Sequence, residues 1–194
     1  MSSSELAYKP GGQPVYTQQA WCRYDQARRD YTGEEENAIV CGRFPHLNMC
    51  ACDVDCSLAI KQISLIEVYE NIFMGNFQAG FKTKDLIDAG ITHILNATCK
   101  SYTLRSKYFK YYNLQLQDEK TEDAKKHFRA TNRFIQEALD QGGKVLVQSV
   151  EGRSRSATFI LAYMINRDRR QLRDCVAILR QYVPEAEPNE GFMS

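Results

Sequence analysis

The sequence predicts an α/β domain with a central, mostly parallel sheet flanked by helices and preceded by an extended arm. Glycine and proline interrupt the chain up to about residue 60, whereas apolar strand and helix patterns alternate after it. The 194 residues, 43% of them hydrophobic, suffice for one core and an appendage. We therefore expect an arm over residues 1–60 and a folded domain over residues 61–194.

The elements of this domain follow from the spacing of apolar residues. Residues 64–75 suit two short strands joined at Glu70 and Asn71, and residues 79–89 suit a helix that Gly90 closes in the C′ position. The other predicted strands cover residues 91–97, 111–116 and 144–148, and the other predicted helices cover residues 122–139, 156–168 and 172–183. Strands that alternate with helices favour parallel pairing.

The turn between the strand 144–148 and the helix 156–168 has the composition of an anion site. It reads Ser149-Val150-Glu151-Gly152-Arg153-Ser154-Arg155-Ser156. The first backbone N–H groups of a helix lack carbonyl partners and carry the positive end of the helix dipole, so they can converge on a phosphate. Gly152 permits a close turn with positive φ, and Arg155 adds a planar fork of donors. The turn therefore predicts phosphate binding by residues 149–156.

This turn resembles the signature of the cysteine-dependent dual-specificity protein phosphatases, His-Cys-x-x-Gly-x-x-Arg-Ser/Thr. Gly152, Arg155 and Ser156 fall in register, whereas Gln148 stands in the His place and Ser149 in the Cys place. The resemblance covers about residues 64–194 and implies the dual-specificity phosphatase fold. It includes a Pro-Asn-x-Gly-Phe segment at residues 188–192, after which the last helix of the family would be missing or very short.

The resemblance also implies a role for Asp118. In the family, an aspartate on an upstream loop donates a proton to the leaving oxygen of the substrate. Asp118 follows the predicted strand 111–116, precedes a helix and lies 31 residues before Ser149. The alternative is that Asp118 is an ordinary polar residue of an acidic loop, and the sequence leaves both readings open.

Ser149 removes the nucleophile that the loop would otherwise activate. A cysteine at a helix N-terminus beside an arginine is a thiolate at neutral pH, whereas a serine hydroxyl stays protonated and needs an adjacent base. None of the three histidines is in or next to the loop, and Glu151 adds negative charge near an anion site. The joint departures at Gln148, Ser149 and Glu151 favour a natural loss of activity, similar to the Ser/Thr/Tyr-interacting pseudophosphatases.

Two hypotheses about function follow. The favoured one is a silent phosphatase-fold protein that binds a phosphorylated protein or acts as a scaffold, including a structural role in a cytoskeletal or ciliary assembly. The other is an active dual-specificity phosphatase, acting on Tyr and Ser/Thr phosphoesters, seen with its cysteine changed to Ser149. In the second case Asp118 and Arg155 would be catalytic. Neither hypothesis calls for a cofactor or a metal.

The arm predicts a second contact surface. Its residues 17–31 carry an aromatic stripe at roughly helical spacing, made of Trp21, Tyr24, Arg28 and Tyr31. Packing on its own domain is the favoured role of this stripe, and docking of a protein partner is the alternative.

A cluster of cysteines and one histidine in the arm is a candidate metal site. Its members are Cys41, His46, Cys50, Cys52 and Cys56. Zinc fingers use more regular ligand spacing than this cluster has, so free thiols are the favoured interpretation.

Charge and hydropathy exclude some partners and favour a cytoplasmic location. The net charge of +1 indicates no nucleic-acid or membrane surface, and the apolar runs are too short to span a bilayer. Residues 1–12 lack the apolar region of a signal peptide. Seven cysteines without a secretory signal indicate reduced thiols. We expect a cytoplasmic protein, associated with the cytoskeleton if it is a scaffold.

Overall fold

A five-stranded mixed sheet organises the protein, whose computed structural model describes residues 65–99, 101, 103 and 107–194. The strands are β1 (Leu65–Tyr69), β2 (Ile72–Asn76), β3 (Ile91–Asn96), β4 (Lys110–Asn113) and β5 (Lys144–Ser149). Their spatial order is β1-β2-β5-β3-β4. β1 is antiparallel to β2, and the other three pairs are parallel. The predicted α/β class and the mostly parallel sheet are confirmed.

Four α-helices flank the sheet and hold two cores. They are α1 (Thr83–Asp88), α2 (Lys125–Asp140), α3 (Arg155–Asp168) and α4 (Leu172–Tyr182). Successive residues of a strand point to opposite faces. Val145 and Val147 accordingly join the larger core together with residues of α2, α3 and α4, whereas Leu146 joins a smaller core with residues of α1. The first ten residues of α3 are all buried, so this helix passes through the centre of the larger core.

The predicted helix over residues 79–89 is two shorter elements. A 3-10 turn covers Ala79–Phe81, and α1 begins at Thr83. Lys82 separates them because its φ of −77° and ψ of 72° lie outside the helical region. The prediction that Gly90 ends this helical segment agrees with its φ of 80°, which lies in the left-handed region, directly before β3.

The predicted strand over residues 111–116 is shorter, because β4 ends at Asn113. Gln115 has a φ of 52°, which interrupts the extended path of the chain. The backbone N–H groups of Leu114 and Leu116 nevertheless donate to Asn96 O and Thr98 O at 3.0 and 3.2 Å. The segment therefore stays alongside the end of β3 and delivers the following residues to the edge of the sheet where the strands end.

The chain after α4 runs as turns, without a helix in the described residues 183–194. Asn189 still caps a turn, since its Oδ1 accepts a hydrogen bond from the Phe192 N–H at 3.1 Å. Among the helices that the structure describes, none has both the length and the apolar character needed to cross a membrane. The aromatic stripe over residues 17–31 and the cysteine cluster over residues 41–56 lie outside the described residues.

Candidate functional site

The turn after β5 is fixed on both sides by the sheet. β5 lies between β2 and β3, parallel to both, so the carboxyl ends of the three strands meet at one edge. Gln148 O accepts a hydrogen bond from Ala97 N at 2.8 Å, after β3, and Val150 O accepts one from Phe77 N at 3.3 Å, after β2. In open parallel sheets this edge is where ligands bind.

Gly152 lets the turn come close to the end of β2. Its φ is 74°, in the left-handed region that favours glycine. A β-carbon at this position would lie 2.8 Å from Asn76 N and 2.9 Å from Gly75 O, closer than side-chain carbons approach backbone atoms. The predicted need for glycine here is thus met by both the backbone angle and the close approach.

The backbone donors of the turn are available to a ligand. No described residue accepts a hydrogen bond from the N–H groups of Glu151 to Ser156. The first bond of α3 is made by Thr158 N, which donates to Ser154 O at 2.9 Å. Donors of this kind at a helix N-terminus are the usual contacts of a bound phosphate.

Ser149 ends β5 at the base of this turn. Its side chain is buried, with 1% of the residue exposed, and its Oγ donates to Ser156 Oγ at 3.1 Å. The two described histidines are engaged elsewhere or distant in the fold: His93 Nδ1 lies 2.8 Å from Thr92 Oγ1 in β3, and His127 is in α2. Within the part of the chain that the structure describes, the hydroxyl of Ser149 therefore has no imidazole base.

Gln148, which stands in the His place, is buried below the turn. Its Nε2 donates to Asn96 Oδ1 at 3.4 Å, and the Asn96 amide in turn donates to Asn113 Oδ1 at 2.7 Å. The absence of a side chain at Gly80 makes room for the Gln148 amide, because a β-carbon at Gly80 would overlap the Gln148 side-chain oxygen. Sequence reasoning noted the substitution at Gln148 but did not predict the contact with Gly80.

Arg155 is held at the side of the pocket by two groups. With 5% of the residue exposed, it donates from Nη1 to Leu116 O at 3.0 Å. Its Nε lies 3.3 Å from Asp118 Oδ2, as an ion pair without hydrogen-bond geometry. Nη2 makes no hydrogen bond to a described residue. The predicted fork of donors is therefore partly occupied by the protein itself.

Asp118 reaches the same pocket as Ser149 and Arg155. Its Oδ1 accepts hydrogen bonds from Ser154 Oγ at 2.6 Å and from Asn189 Nδ2 at 2.7 Å. The structure thus brings together the residues that the sequence analysis grouped, and the general-acid role of Asp118 stays a prediction.

The segment after α4 contacts the turn and Asp118 beside the pocket, which the sequence analysis did not predict. Asn189 N donates to Ser154 Oγ at 3.1 Å, and Glu187 N donates to Arg153 O at 3.1 Å. Arg153 donates from Nε to Glu185 O at 3.2 Å and from Nη2 to Glu187 Oε2 at 3.0 Å. The Pro-Asn-x-Gly-Phe segment at residues 188–192 was the sequence feature that could have indicated these contacts, although its spacing does not identify Ser154 and Asp118 as the partners of Asn189.

These groups enclose a pocket of about 330 Å³. Its lining residues are Gln117, Asp118, Glu119, Ser149, Val150, Glu151, Ser154 and Arg155. Among them are three carboxylates and one guanidinium. The pocket combines a set of free backbone donors with a rim of negative charge.

Comparisons with known proteins agree with this geometry. A family model described as "Dual specificity phosphatase, catalytic domain" matches residues 72–194. The chain is 35% identical over 129 residues to "Dual specificity protein phosphatase PHS1" of Arabidopsis thaliana. This match covers 64% of this chain and 14% of that protein. It is 31% identical over 160 residues to the "Serine/threonine/tyrosine-interacting protein" of Mus musculus. This match covers 77% of this chain and 70% of that protein.

Two solved human structures have the same fold as this chain. The human "tyrosine phosphatase-like serine/threonine/tyrosine-interacting protein" superposes with a TM-score of 0.64 at 30% identity, covering 68% of this chain and 91% of that one. Human DUSP28 superposes with a TM-score of 0.63 at 29% identity, covering 66% and 87%. Several relatives are much longer than this chain, which spans 21% of the mouse Slingshot homolog 3.

Proposed function

The chain belongs to the dual specificity phosphatase family, and from this premise we propose that it is a catalytically silent member that binds a phosphorylated protein. The observation that carries the proposal is Ser149, a buried hydroxyl at the nucleophile position that donates to Ser156 and has no imidazole neighbour among the described residues. Hydrolysis in this family needs a thiolate at that position. A serine hydroxyl there is a donor and not a nucleophile.

The carboxylates around the pocket do not replace the missing base. Asp118 accepts hydrogen bonds from Ser154 and Asn189 and pairs with Arg155. Its carboxylate thus makes two hydrogen bonds and one ion pair with described residues, and none of them is to Ser149. Ser149 itself is bonded to Ser156. Activation of Ser149 would require several of these contacts to rearrange.

The same substitution favours binding of an intact phosphate group. A thiolate repels a phosphate dianion at close range, whereas the hydroxyl of Ser149 is neutral and can donate a hydrogen bond to it. The N–H groups of Glu151 to Ser156 have no acceptor among the described residues, and Arg155 Nη2 is not hydrogen-bonded. The pocket thus retains donors for a phosphate after losing the nucleophile.

The relatives give independent support. The mouse serine/threonine/tyrosine-interacting protein matches this chain over more of its own length than the long phosphatases do. The human structure of that name carries the description "tyrosine phosphatase-like". By this similarity we propose protein binding as the function of the domain.

A retained active-site geometry also supports the second candidate, an active dual-specificity phosphatase in which Ser149 replaces a native cysteine. Asp118 and Arg155 line the same pocket, and relatives such as PHS1 are named phosphatases. Hydrolysis of an aryl phosphate by Ser149→Cys, lost again on adding Asp118→Asn, would support this candidate. Absence of hydrolysis in Ser149→Cys, and also with Gln148→His added, supports a silent protein.

Binding is tested by fluorescence anisotropy with labelled phosphotyrosine and phosphothreonine peptides and their unphosphorylated counterparts. We expect the full chain to prefer a phosphorylated peptide, to be displaced by inorganic phosphate and to leave the peptide unhydrolysed. Arg155→Lys keeps the charge but loses the fork, so it should weaken binding. Arg133→Ala is the control, because the Arg133 side chain is 80% exposed on α2. Equal affinity for phosphorylated and unphosphorylated peptides contradicts the proposal.

A further inference from the structure

The electrostatic pattern of the pocket separates its base from its rim. Arg155, at 5% exposure, is the only cation among the described lining residues. Glu119 and Glu151 are exposed, and the Glu151 side chain is 50% exposed. Positive charge and backbone donors therefore lie deep, and negative charge lies at the entrance.

The neighbouring cations neutralise the negative charge at the entrance only in part, because Arg153 is shared between Glu151 and Glu187. Glu119 makes no ion pair with a described residue. Arg153 is 3.9 Å from Glu151 but only 3.0 Å from Glu187, and it also donates to a backbone carbonyl. Lys120 pairs with Glu190 at 2.6 Å. The cations next to the entrance are thus taken up by the carboxylates of the C-terminal segment.

The deep cation is also partly neutralised. Asp118 lies 3.3 Å from Arg155, so the lining residues carry one positive and three negative formal charges. A ligand that carries only negative charge must pass this rim before it reaches the donors at the base. A ligand with positive charge beside its phosphate is attracted by the rim and by the base together.

We infer that Glu119 and Glu151 are specificity-determining residues that select a phosphorylated residue flanked by lysine or arginine. This inference rests on the proposed binding of phosphoproteins and names the class of ligand that the same pocket takes. The phosphate occupies the donors of the turn 149–156. The flanking cationic side chains lie against the two rim carboxylates, in contact with solvent.

The size of the preference follows from the exposure of the rim. An exposed ion pair changes an affinity by about threefold, so two pairs give a preference of about tenfold for basic over neutral flanks. Acidic flanks are repelled to a similar extent. The preference decreases with salt, because the screening length falls from about 14 Å at 50 mM to about 6 Å at 300 mM.

The experiment uses the full chain and peptides with a central phosphoresidue, of the type that binds more tightly in the preceding test. Two lysines, two alanines or two glutamates flank this residue, and each peptide is also made without the phosphate. The variants are Glu119→Lys and Glu151→Lys. Glu137→Lys is the matched control, since Glu137 is also exposed but lies on α2 and pairs with Arg133.

We expect lysine-flanked phosphopeptides to bind about tenfold more tightly than alanine-flanked ones at about 50 mM salt, with the preference reduced at about 300 mM. Each rim variant should lower the preference by about threefold or more, and Glu137→Lys should leave it unchanged. Circular dichroism of the variants checks that they are folded.

Three outcomes would overturn the inference, and they separate it from the proposed function. Phosphate-dependent binding without any effect of the flanks leaves the proposed function standing and rejects the role of Glu119 and Glu151. Absence of phosphate-dependent binding to every peptide rejects both. Equally tight binding of the unphosphorylated lysine peptide means that the rim alone recognises basic segments, and it rejects the phosphate part.

Discussion

The contact between Gly80 and Gln148 gives a quantitative test of how the pocket floor is built. A β-carbon at Gly80 would overlap the Gln148 side-chain oxygen and lie 2.8 Å from its Cδ. Gln148 is fully buried, so Gly80→Ala forces its amide away from Asn96. Overpacking costs about 1–3 kcal/mol and a weakened hydrogen bond about 1 kcal/mol. We therefore expect Gly80→Ala to lower the free energy of unfolding by about 2–3 kcal/mol.

A double-mutant cycle isolates this contact. Gln148→Ala removes the buried amide and should itself cost about 2–3 kcal/mol, mainly because it leaves a cavity, while Asn96 Oδ1 keeps its hydrogen bond from Thr98 N. In that background the methyl group of Ala at position 80 occupies vacated space, so Gly80→Ala should cost less than about 1 kcal/mol. The expected coupling between the two substitutions is about 2 kcal/mol.

The assay is urea unfolding followed by circular dichroism, with the slope of each transition compared between variants. An unchanged slope shows that the midpoints report stability and not a change in the unfolded state. A cost of Gly80→Ala that is the same with Gln148 and with Ala at position 148 would refute the reasoning. In that case the glycine would be required by the backbone of the 3-10 turn.

Three further predictions concern the loop, the half-buried Tyr69 and the C-terminal segment. Gly152→Ala should destabilise the protein by at least about 2 kcal/mol more than Gly142→Ala. Both glycines have a φ above 70°, and Gly152 in addition lies against the end of β2. Equal urea midpoints of the two variants would contradict this prediction. Burial, as the larger cause, and the hydrogen bond to Asp168 raise the pKa of Tyr69 to about 12. The neutral form of this side chain therefore stabilises the fold fully below pH 10, and this contribution is lost as the pH rises towards 12. Tyr69→Phe should accordingly cost about 1–2 kcal/mol near pH 8, and a difference from the unsubstituted protein that fails to shrink above pH 10 would argue against it. Asn189→Ala should cost about 1–2 kcal/mol and weaken phosphopeptide binding, measured by unfolding and anisotropy, because Asn189 holds Asp118 and Ser154 in place; unchanged affinity would contradict this.

Periodic burial made most of the fold predictable from the sequence. Strands such as β5 and helices such as α3 carry apolar runs whose spacing matches the structure within one or two residues. The breaks at Lys82 and Gln115 were not predictable, because neither residue type favours the backbone angles that it adopts. Tertiary contacts impose those angles, and local sequence does not report them.

The candidate site divides in the same way. The turn 149–156 follows from its glycine, its arginine and the strand and helix on either side, all of which are local signals. The bonds of Asp118 to Ser154 and Asn189 join residues that are 36 and 71 positions apart. No local pattern encodes such distances, and so the acidic rim and the contacts of the C-terminal segment are seen only in the folded structure.

The junction of Asp118, Ser154 and Asn189 imposes an order on biosynthesis. All five strands are synthesised once Ser149 has been added, so the sheet can form on the ribosome while later residues are still being made. The hydrogen bond between Asn189 and Asp118, by contrast, can form only after Asn189, 71 positions later, has emerged. A nascent chain would thus form the turn 149–156 before Asn189 contacts Ser154 and Asp118.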